Sequence, residues 1–289
     1  MVCQTWGRAM LKRAQTRRAA SLSGQLTPQA TGSMSLIRSS ATAEPPRAGT
    51  DMAWTRPNAN QPRNLLLHAV KSAVGPDTII KAQPISLEQG TVLSEPGDQV
   101  RHVYFPVSCV LSAVTVLRDG AMMATTLRGH EAAFGLLTAL RKARTHARCK
   151  VQIGGPALRV DAKQLSALFD ASTEVRRLFL DYWDAVMAQY EQTAICNTRH
   201  SVCSRLSRCL LDMHDRIIGD AFPFTHQQMA NLLAANRTTI SLAASSLRRA
   251  CLIETDRAYV RIIDRKGLRA VSCECYARVR SRYERVFAA

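Results

Sequence analysis

The chain has 289 residues and a formal charge of +17, enough length for about two domains. The positive excess is +6 over residues 1–60, +3 over 61–194 and +8 over 195–289, so the middle is near balance and both ends are basic. A basic C-terminal part is the electrostatic footprint of a phosphate-bearing partner. No apolar run approaches the roughly 20 residues of a membrane span, and no Lys-rich helix with a bulky aromatic face suits a membrane surface.

Residues 1–60 carry Arg, Ser, Thr, Ala, Gly and Pro with little periodicity and read as a disordered basic extension. The acid-free, Arg-rich segment 10–21 has the composition of an organelle transit peptide. A translation start at Met34 or Met52 is the plainer reading of this stretch. From Asn64 the texture changes. Residues 64–71 form a short amphipathic helix, and a turn or short helix follows through Ile80.

Short strands come next, with turn signals at Glu88-Gln89-Gly90, Pro96-Gly97-Asp98, Pro106 and Asp119-Gly120. Val103, Phe105, Val110, Val114 and Val116 have strand propensity or alternation. Asp119-Gly120 sits between two strand candidates, as a tight hairpin requires. Many short strands with regular turns predict a small antiparallel barrel or roll over residues 61–170. After Gly154-Gly155-Pro156, Asp161 caps a helix containing Leu165, Leu168 and Phe169.

A longer helix begins at Ser172 or Thr173 and occupies most of residues 171–200. Val175, Leu178, Phe179, Tyr182, Val186, Met187, Tyr190 and Ile195 recur at three and four. That stripe is wider than one face of a single roll would cover. Residues 201–217 form another amphipathic helix, with Leu206, Leu210, Leu211 and Met213 inward and Arg205 and Arg208 outward.

Two short helices then follow over Thr225 to Leu252. Thr225 is a good N-cap. Met229, Leu232 and Leu233 form one apolar face, and Ala234, Ala235 and Asn236 form the break. The second helix opens at Arg237, with Ile240, Ala244 and Leu247 inward. Its other face carries Arg237, Thr238, Thr239, Ser241 and Ser245, with Arg248-Arg249 near its end. Small polar side chains at a helix start, with cations behind them, suit a DNA major groove. Cys251 to Ile263 read as a hairpin turning at Asp256-Arg257-Ala258, and Tyr259 and Arg261 on it could reach a DNA backbone. Asp264 caps one final helix containing Leu268, Val271, Tyr276, Val279, Tyr283 and Val286.

The segment THQQMANLLAANRTTIS resembles the winged helix-turn-helix of the Crp/Fnr family of bacterial transcription regulators. The roll resembles that family's cyclic-nucleotide-binding-like sensor in L-x-x-G-T-V-L at 87–93, E-P-G at 95–97, H-V-Y-F-P at 102–106 and G-H-E-A-A-F-G at 129–135. The resemblance implies an α+β chain. It has an N-terminal antiparallel, jelly-roll-like β-roll, a long dimerisation helix and a C-terminal winged helix-turn-helix over residues 201–289. It places Arg237, Thr238, Ser241 and Leu242 where the family reads bases. Thr225, His226 and Gln227 fall where it contacts phosphate. Expected partners are double-stranded DNA, a second copy of the chain and RNA polymerase, in the cytoplasm. Ala234 stands where a turn glycine is frequent, Leu242 where some members carry a base-reading Arg, and Cys109 where many have glycine.

In that family a cyclic nucleotide needs backbone amides on a glycine turn, an acid for the ribose hydroxyl and an Arg for the phosphate. Gly135 is present, but Leu136 stands where binders carry Glu, and Arg144 and Thr145 only approximate the Arg-Ser pair. An unpaired ribose hydroxyl costs roughly 1–3 kcal/mol, so cyclic AMP is not the expected ligand, no cofactor is implied and the effector is open. The basic cluster Arg141, Lys142, Arg144 and Arg148 reads either as a solvated loop and strand surface or as a seat for an anion.

The nine cysteines are scattered and odd in number, which with no convincing secretory signal indicates a reducing compartment and mostly buried thiols. An iron–sulfur sensor would want a cysteine cluster near the N-terminus, where only Cys3 lies. His102, His130 and His146 read as surface or hydrogen-bonded residues rather than haem ligands. Cys273-x-Cys275 is too close for a C-x₂-C knuckle and reads as two thiols on a helix, so no metal is expected. The A-I-C-N-x-x-H-S-V segment at 194–202 and CECY at 273–276 both resemble a cyclic-AMP-unlike branch of the family. No catalytic residues are assigned. His130-Glu131 begins like H-E-x-x-H, but Phe134 occupies the second His position, and nothing assembles a nucleophile, base and oxyanion donor.

Overall fold

Asn64 sets the first element. Its side-chain oxygen accepts the amide of Leu67 at 2.9 Å, and its Nδ2 donates to the carbonyls of Pro106 and Ala132, both at 2.8 Å. One side chain thus caps α1 (Leu65–Val74) and ties it to the roll. The structure is a computed structural model that describes residues 56–57, 63–116, 118, 122–256 and 258–288. The basic extension, apart from Arg56 and Pro57, lies outside the described residues, as do the Asp119-Gly120 turn and Arg257.

Among the described residues seven strands build the roll: β1 (Ala82–Leu87), β2 (Val92–Ser94), β3 (His102–Pro106), β4 (Val110–Val116), β5 (Met122–Arg128), β6 (Arg148–Ile153) and β7 (Gly155–Asp161). They form two antiparallel sheets, ordered β1-β7-β3 and β2-β6-β4-β5. Leu87, Cys109, Leu111, Cys149, Val151 and Ala157 fill part of the interior between them. A short helix, α2 (Leu136–Leu140), interrupts the second half of the roll.

Asp161 caps α3 (Ala162–Ala171) by accepting the amide of Lys163 at 2.7 Å. Ser172 then caps the 27-residue α4 (Thr173–Arg199) through the amide of Val175. Tyr182 anchors α4 to the roll. Its hydroxyl takes a bond from Arg128 Nη1 at 2.8 Å and donates to the carbonyl of Ala133 at 3.1 Å. Val175, Phe179, Tyr182 and Val186 are buried against the roll, whereas Leu180, Met187 and Ile195 are exposed.

The C-terminal head starts with α5 (Val202–His214), followed by β8 (Ala221–Pro223), α6 (His226–Leu233), α7 (Arg237–Arg249), β9 (Ile253–Thr255), β10 (Tyr259–Ile262) and α8 (Arg265–Val271). The expected hairpin forms, with β8 as a third strand on the far side of β10. Sequence reading missed β8, because three residues before a helix-turn-helix carry no alternation long enough to register.

The expected single final helix is two. α8 ends at Val271, Ser272 is extended, and α9 (Cys275–Phe287) starts a new direction. α9 leaves the head and packs on α4, where Tyr283 donates to Gln189 Oε1 at 2.8 Å and its ring lies 6.3 Å from that of Tyr182. Val279, Tyr283 and Val286 therefore join a core with α1, α4 and the roll, while a second core runs through the head.

Arg205 and Arg208 were expected outside and are buried, at 6% and 7% exposure. Arg205 lies under the helix-turn-helix, donating to Asn197 Oδ1 at 2.9 Å and to the carbonyl of Leu233 at the end of α6. A helix end leaves such carbonyls without partners, and a guanidinium supplies one. Arg208 stands 3.8 Å from Asp212 Oδ2. A further buried pair joins roll to head: Arg216 Nε donates to Glu131 Oε1 at 2.9 Å. Gly129 makes room for it, since a Cβ there would lie 2.4 Å from Arg216 Cγ.

Candidate nucleic-acid interface

Thr225 caps α6 reciprocally. Its hydroxyl accepts the amide of Gln228 at 3.2 Å and its amide donates to Gln228 Oε1 at 2.8 Å. Met229, Ala230 and Leu233 then bury the inner face of α6. Ala234 ends the helix in the left-handed region, at φ 46°, doing the work of the turn glycine it replaces. That turn aims α7 across α6.

α7 buries Ile240, Ala243, Ala244 and Leu247. Its opposite face is open: Arg237, Thr238, Thr239 and Arg248 are exposed, as is Leu242 at 66%. No acid sits in the first turn and no side chain caps it. The helix therefore presents unspent amides and positive charge at one end, an anion-attracting arrangement. On the hairpin, Tyr259 and Arg261 are exposed.

The phosphate-side residues are more committed. Thr225 spends its hydroxyl and amide on its own cap, and Gln227 Nε2 donates to Asn231 Oδ1 at 2.9 Å. His226 Nδ1 lies 3.0 Å from Ser241 Oγ, and that hydroxyl donates to the carbonyl of Arg237 at 3.0 Å. The start of α6 is so locked to the first turns of α7. Burial lowers the His226 pKa, and the Arg237 and Arg248 cations lower it further. His226 thus links the start of α6 to the first turns of α7 as a neutral ring.

None of the four residues expected to form an effector pocket lines the cleft at Gln99 to His102. Gly135, at φ 89°, only starts α2. Leu136 is buried in the core with α1 and α4. Arg144 gives its Nη1 to the carbonyl of Gly97 at 2.7 Å, and Thr145 donates to the carbonyl of Ala147 at 3.1 Å. The nearby cleft is lined instead by Gln99, His102, Lys142, Asp161 and Lys163, among others. A second cleft lies between the roll and the head, bordered by Thr115, Met123, Arg205, Asn231, Asn236 and Thr239.

One constellation escaped the sequence reading. Cys196, His200, Cys273 and Cys275 place a sulfur or ring nitrogen each within 4.8 Å of one another. The signal was present as two separate segments, at 194–202 and 273–276, but 77 residues separate Cys196 from Cys273, and only the turn between α8 and α9 folds them together.

The architecture defines a class: a two-sheet roll joined by a long helix to a helix-turn-helix with a strand hairpin behind it. Residues 204–271 match the Crp-like helix-turn-helix domain. No curated protein matches the chain in sequence. Among solved structures, FixK2 from Bradyrhizobium japonicum is 16% identical, with a TM-score of 0.58 over 67% of this chain and 98% of its own. A Crp-family transcriptional regulator from Thermus thermophilus is 18% identical, with a TM-score of 0.54 over 66% and 96%. A Crp/Fnr-family regulator from the same organism is 15% identical, with a TM-score of 0.52 over 66% and 98%. The chain thus has the fold of these Crp/Fnr structures, with a Crp-like helix-turn-helix domain over residues 204–271, and the resemblance drawn from its sequence is borne out. No helix among the described residues is long and apolar enough to cross a membrane.

Proposed function

We propose that the chain is a homodimeric, sequence-specific DNA-binding regulator of transcription of the Crp/Fnr type, working in the cytoplasm with RNA polymerase as a further partner. The observation that carries this reading is the outward face of α7, with Arg237, Thr238, Thr239 and Leu242 exposed while the opposite face is sealed. In this reading α7 enters the major groove, Arg237, Thr238, Ser241 and Leu242 meet base edges, and Arg248, Tyr259 and Arg261 hold phosphate. Thr225, His226 and Gln227 border the backbone at the start of α6, chiefly shaping the patch. Two copies, paired along α4, present two such helices to a two-fold operator.

The roll senses, and its state reaches the head through the α6–β5 contact and the Glu131–Arg216 pair. Cyclic AMP is disfavoured as the signal, since Leu136 is a core residue and Arg144 is spent on a carbonyl. The test uses fluorescence anisotropy on operator and scrambled duplexes. Arg237→Ala is expected to lose about 10-fold or more in discrimination, because a base contact is worth roughly 1–3 kcal/mol. Arg248→Ala is expected to weaken both duplexes alike and to flatten the salt dependence. If the unmodified protein ignores duplex DNA at low salt, the reading is wrong.

A further inference from the structure

Cys196 and His200 lie one helical turn apart at the end of α4, on one face. Cys273 lies in the break between α8 and α9, and Cys275 opens α9. Cys196, Cys273 and Cys275 are buried and form a cluster of their own, with no Leu, Ile, Val or Phe among its members. Three thiols facing each other, rather than filling an apolar core, are a donor set.

The spacing is that of a mononuclear site. Cys196 Sγ lies 3.5 Å from Cys273 Sγ, and Cys275 Sγ lies 3.4 Å from His200 Nδ1. A tetrahedral zinc with metal–sulfur bonds of about 2.3 Å and metal–nitrogen bonds of about 2.0 Å sets ligand atoms ~3.5–3.8 Å apart. An iron–sulfur cluster spreads its cysteines over separate irons and needs a wider cage.

The surroundings agree. His200 offers Nδ1 to the cluster, while its Nε2 lies 3.3 Å from Glu274 Oε2. A carboxylate behind a histidine fixes the ring and raises its basicity as a ligand. Gln192 Nε2 donates to Cys275 Sγ at 3.0 Å, a bond that favours thiolate. Buried Arg205 and Arg208 both interact electrostatically with Cys196 and Cys273, and neither Nε finds an acceptor among the described residues. Two cations offset the single negative charge that three thiolates and a neutral imidazole leave on a divalent ion.

We propose that Cys196, His200, Cys273 and Cys275 form a zinc-class site that binds one divalent ion per chain and staples the end of α4 to the α8–α9 break. Binding exchanges three thiol protons, released to solvent, for three metal–sulfur bonds, with no change of oxidation state. The site is closed, with four protein ligands and no position for water, so its role is structural rather than catalytic. It stands independently of the DNA-binding reading.

The test begins with full-length protein purified under reducing conditions and analysed for metal by mass spectrometry. About one zinc per chain is expected. Cobalt added to the metal-stripped protein is expected to give sulfur-to-cobalt charge-transfer absorption and the visible bands of a tetrahedral site. Cys196→Ser and Cys273→Ser are expected to lose the zinc, and Cys203→Ser, outside the cluster, to keep it. Glu274→Gln is expected to weaken the metal roughly 10–100-fold while leaving the cobalt bands in place, as an orienting carboxylate does. The cobalt spectrum needs no variant, so misfolding of a serine mutant does not blunt the test. Absence of both zinc and tetrahedral cobalt bands overturns the proposal, as does zinc retained after Cys196→Ser and Cys273→Ser are combined. A Cys196–Cys273 disulfide in freshly purified, metal-free protein overturns it too.

Discussion

His214 is held by groups that decide which of its nitrogens carries the proton. Arg265 Nη1 lies 2.8 Å from Nδ1, and a guanidinium only donates, so Nδ1 accepts. The proton sits on Nε2 and goes to Asp220 Oδ1, also at 2.8 Å. Burial lowers the His214 pKa; the Asp220 contact opposes this, and the Arg56 and Arg265 cations add to the lowering. A histidine with a folded pKa below its unfolded value contributes its full stability above the unfolded value, about 6.5. That contribution is lost as pH falls through the folded value. His214→Gln keeps an acceptor and a donor but cannot titrate. Its urea midpoint is expected to fall less than the wild type's between pH 7 and pH 5; equal slopes would refute the assignment. At this scale the sequence misleads where partners are remote. Arg205 and Arg208 read as surface charges because their burial depends on the carbonyl of Leu233 and on the pocket beside the thiols, neither of which a local window contains.

The turn between α6 and α7 shows what an element owes to one backbone angle. Ala234 sits at φ 46°, where its Cβ crowds the following carbonyl. Ala234→Gly relieves that strain and returns part of the gain as unfolded-state entropy. A net stabilisation of about 1 kcal/mol is expected by chemical denaturation; a destabilised variant would show that the neighbours, not the angle, set the turn. The helices themselves were legible, since Thr225, Asp161 and Asp264 all cap where side-chain chemistry says they should. The break in the last helix was not. Residues 265–287 keep apolar positions at helical spacing throughout, and only the pull of α9 toward α4 separates one helix into two. The candidate DNA face was legible for the same reason as the caps: α7 divides cleanly into buried and exposed sides.

At the scale of the molecule, the roll and the head were both visible as texture, one by its turns and the other by its charge, but their mutual contacts were not. The exposed apolar line Leu180, Met187 and Ile195 on α4, spaced by seven and eight residues, is the surface that the proposed dimer covers. Met187→Glu is expected to shift sedimentation from dimer to monomer and to weaken operator binding roughly a hundredfold, since the second half-site is then no longer tethered to the first. A variant that stays dimeric would move the seam elsewhere. The contact between Glu131 and Arg216 adds a mechanical consequence. Two opposite charges in a dry interior are well served touching, and well served again once water reaches both, but poorly served at a gap too narrow for water. Such a contact resists small displacements and gives way all at once, so roll and head behave as a detent rather than a spring.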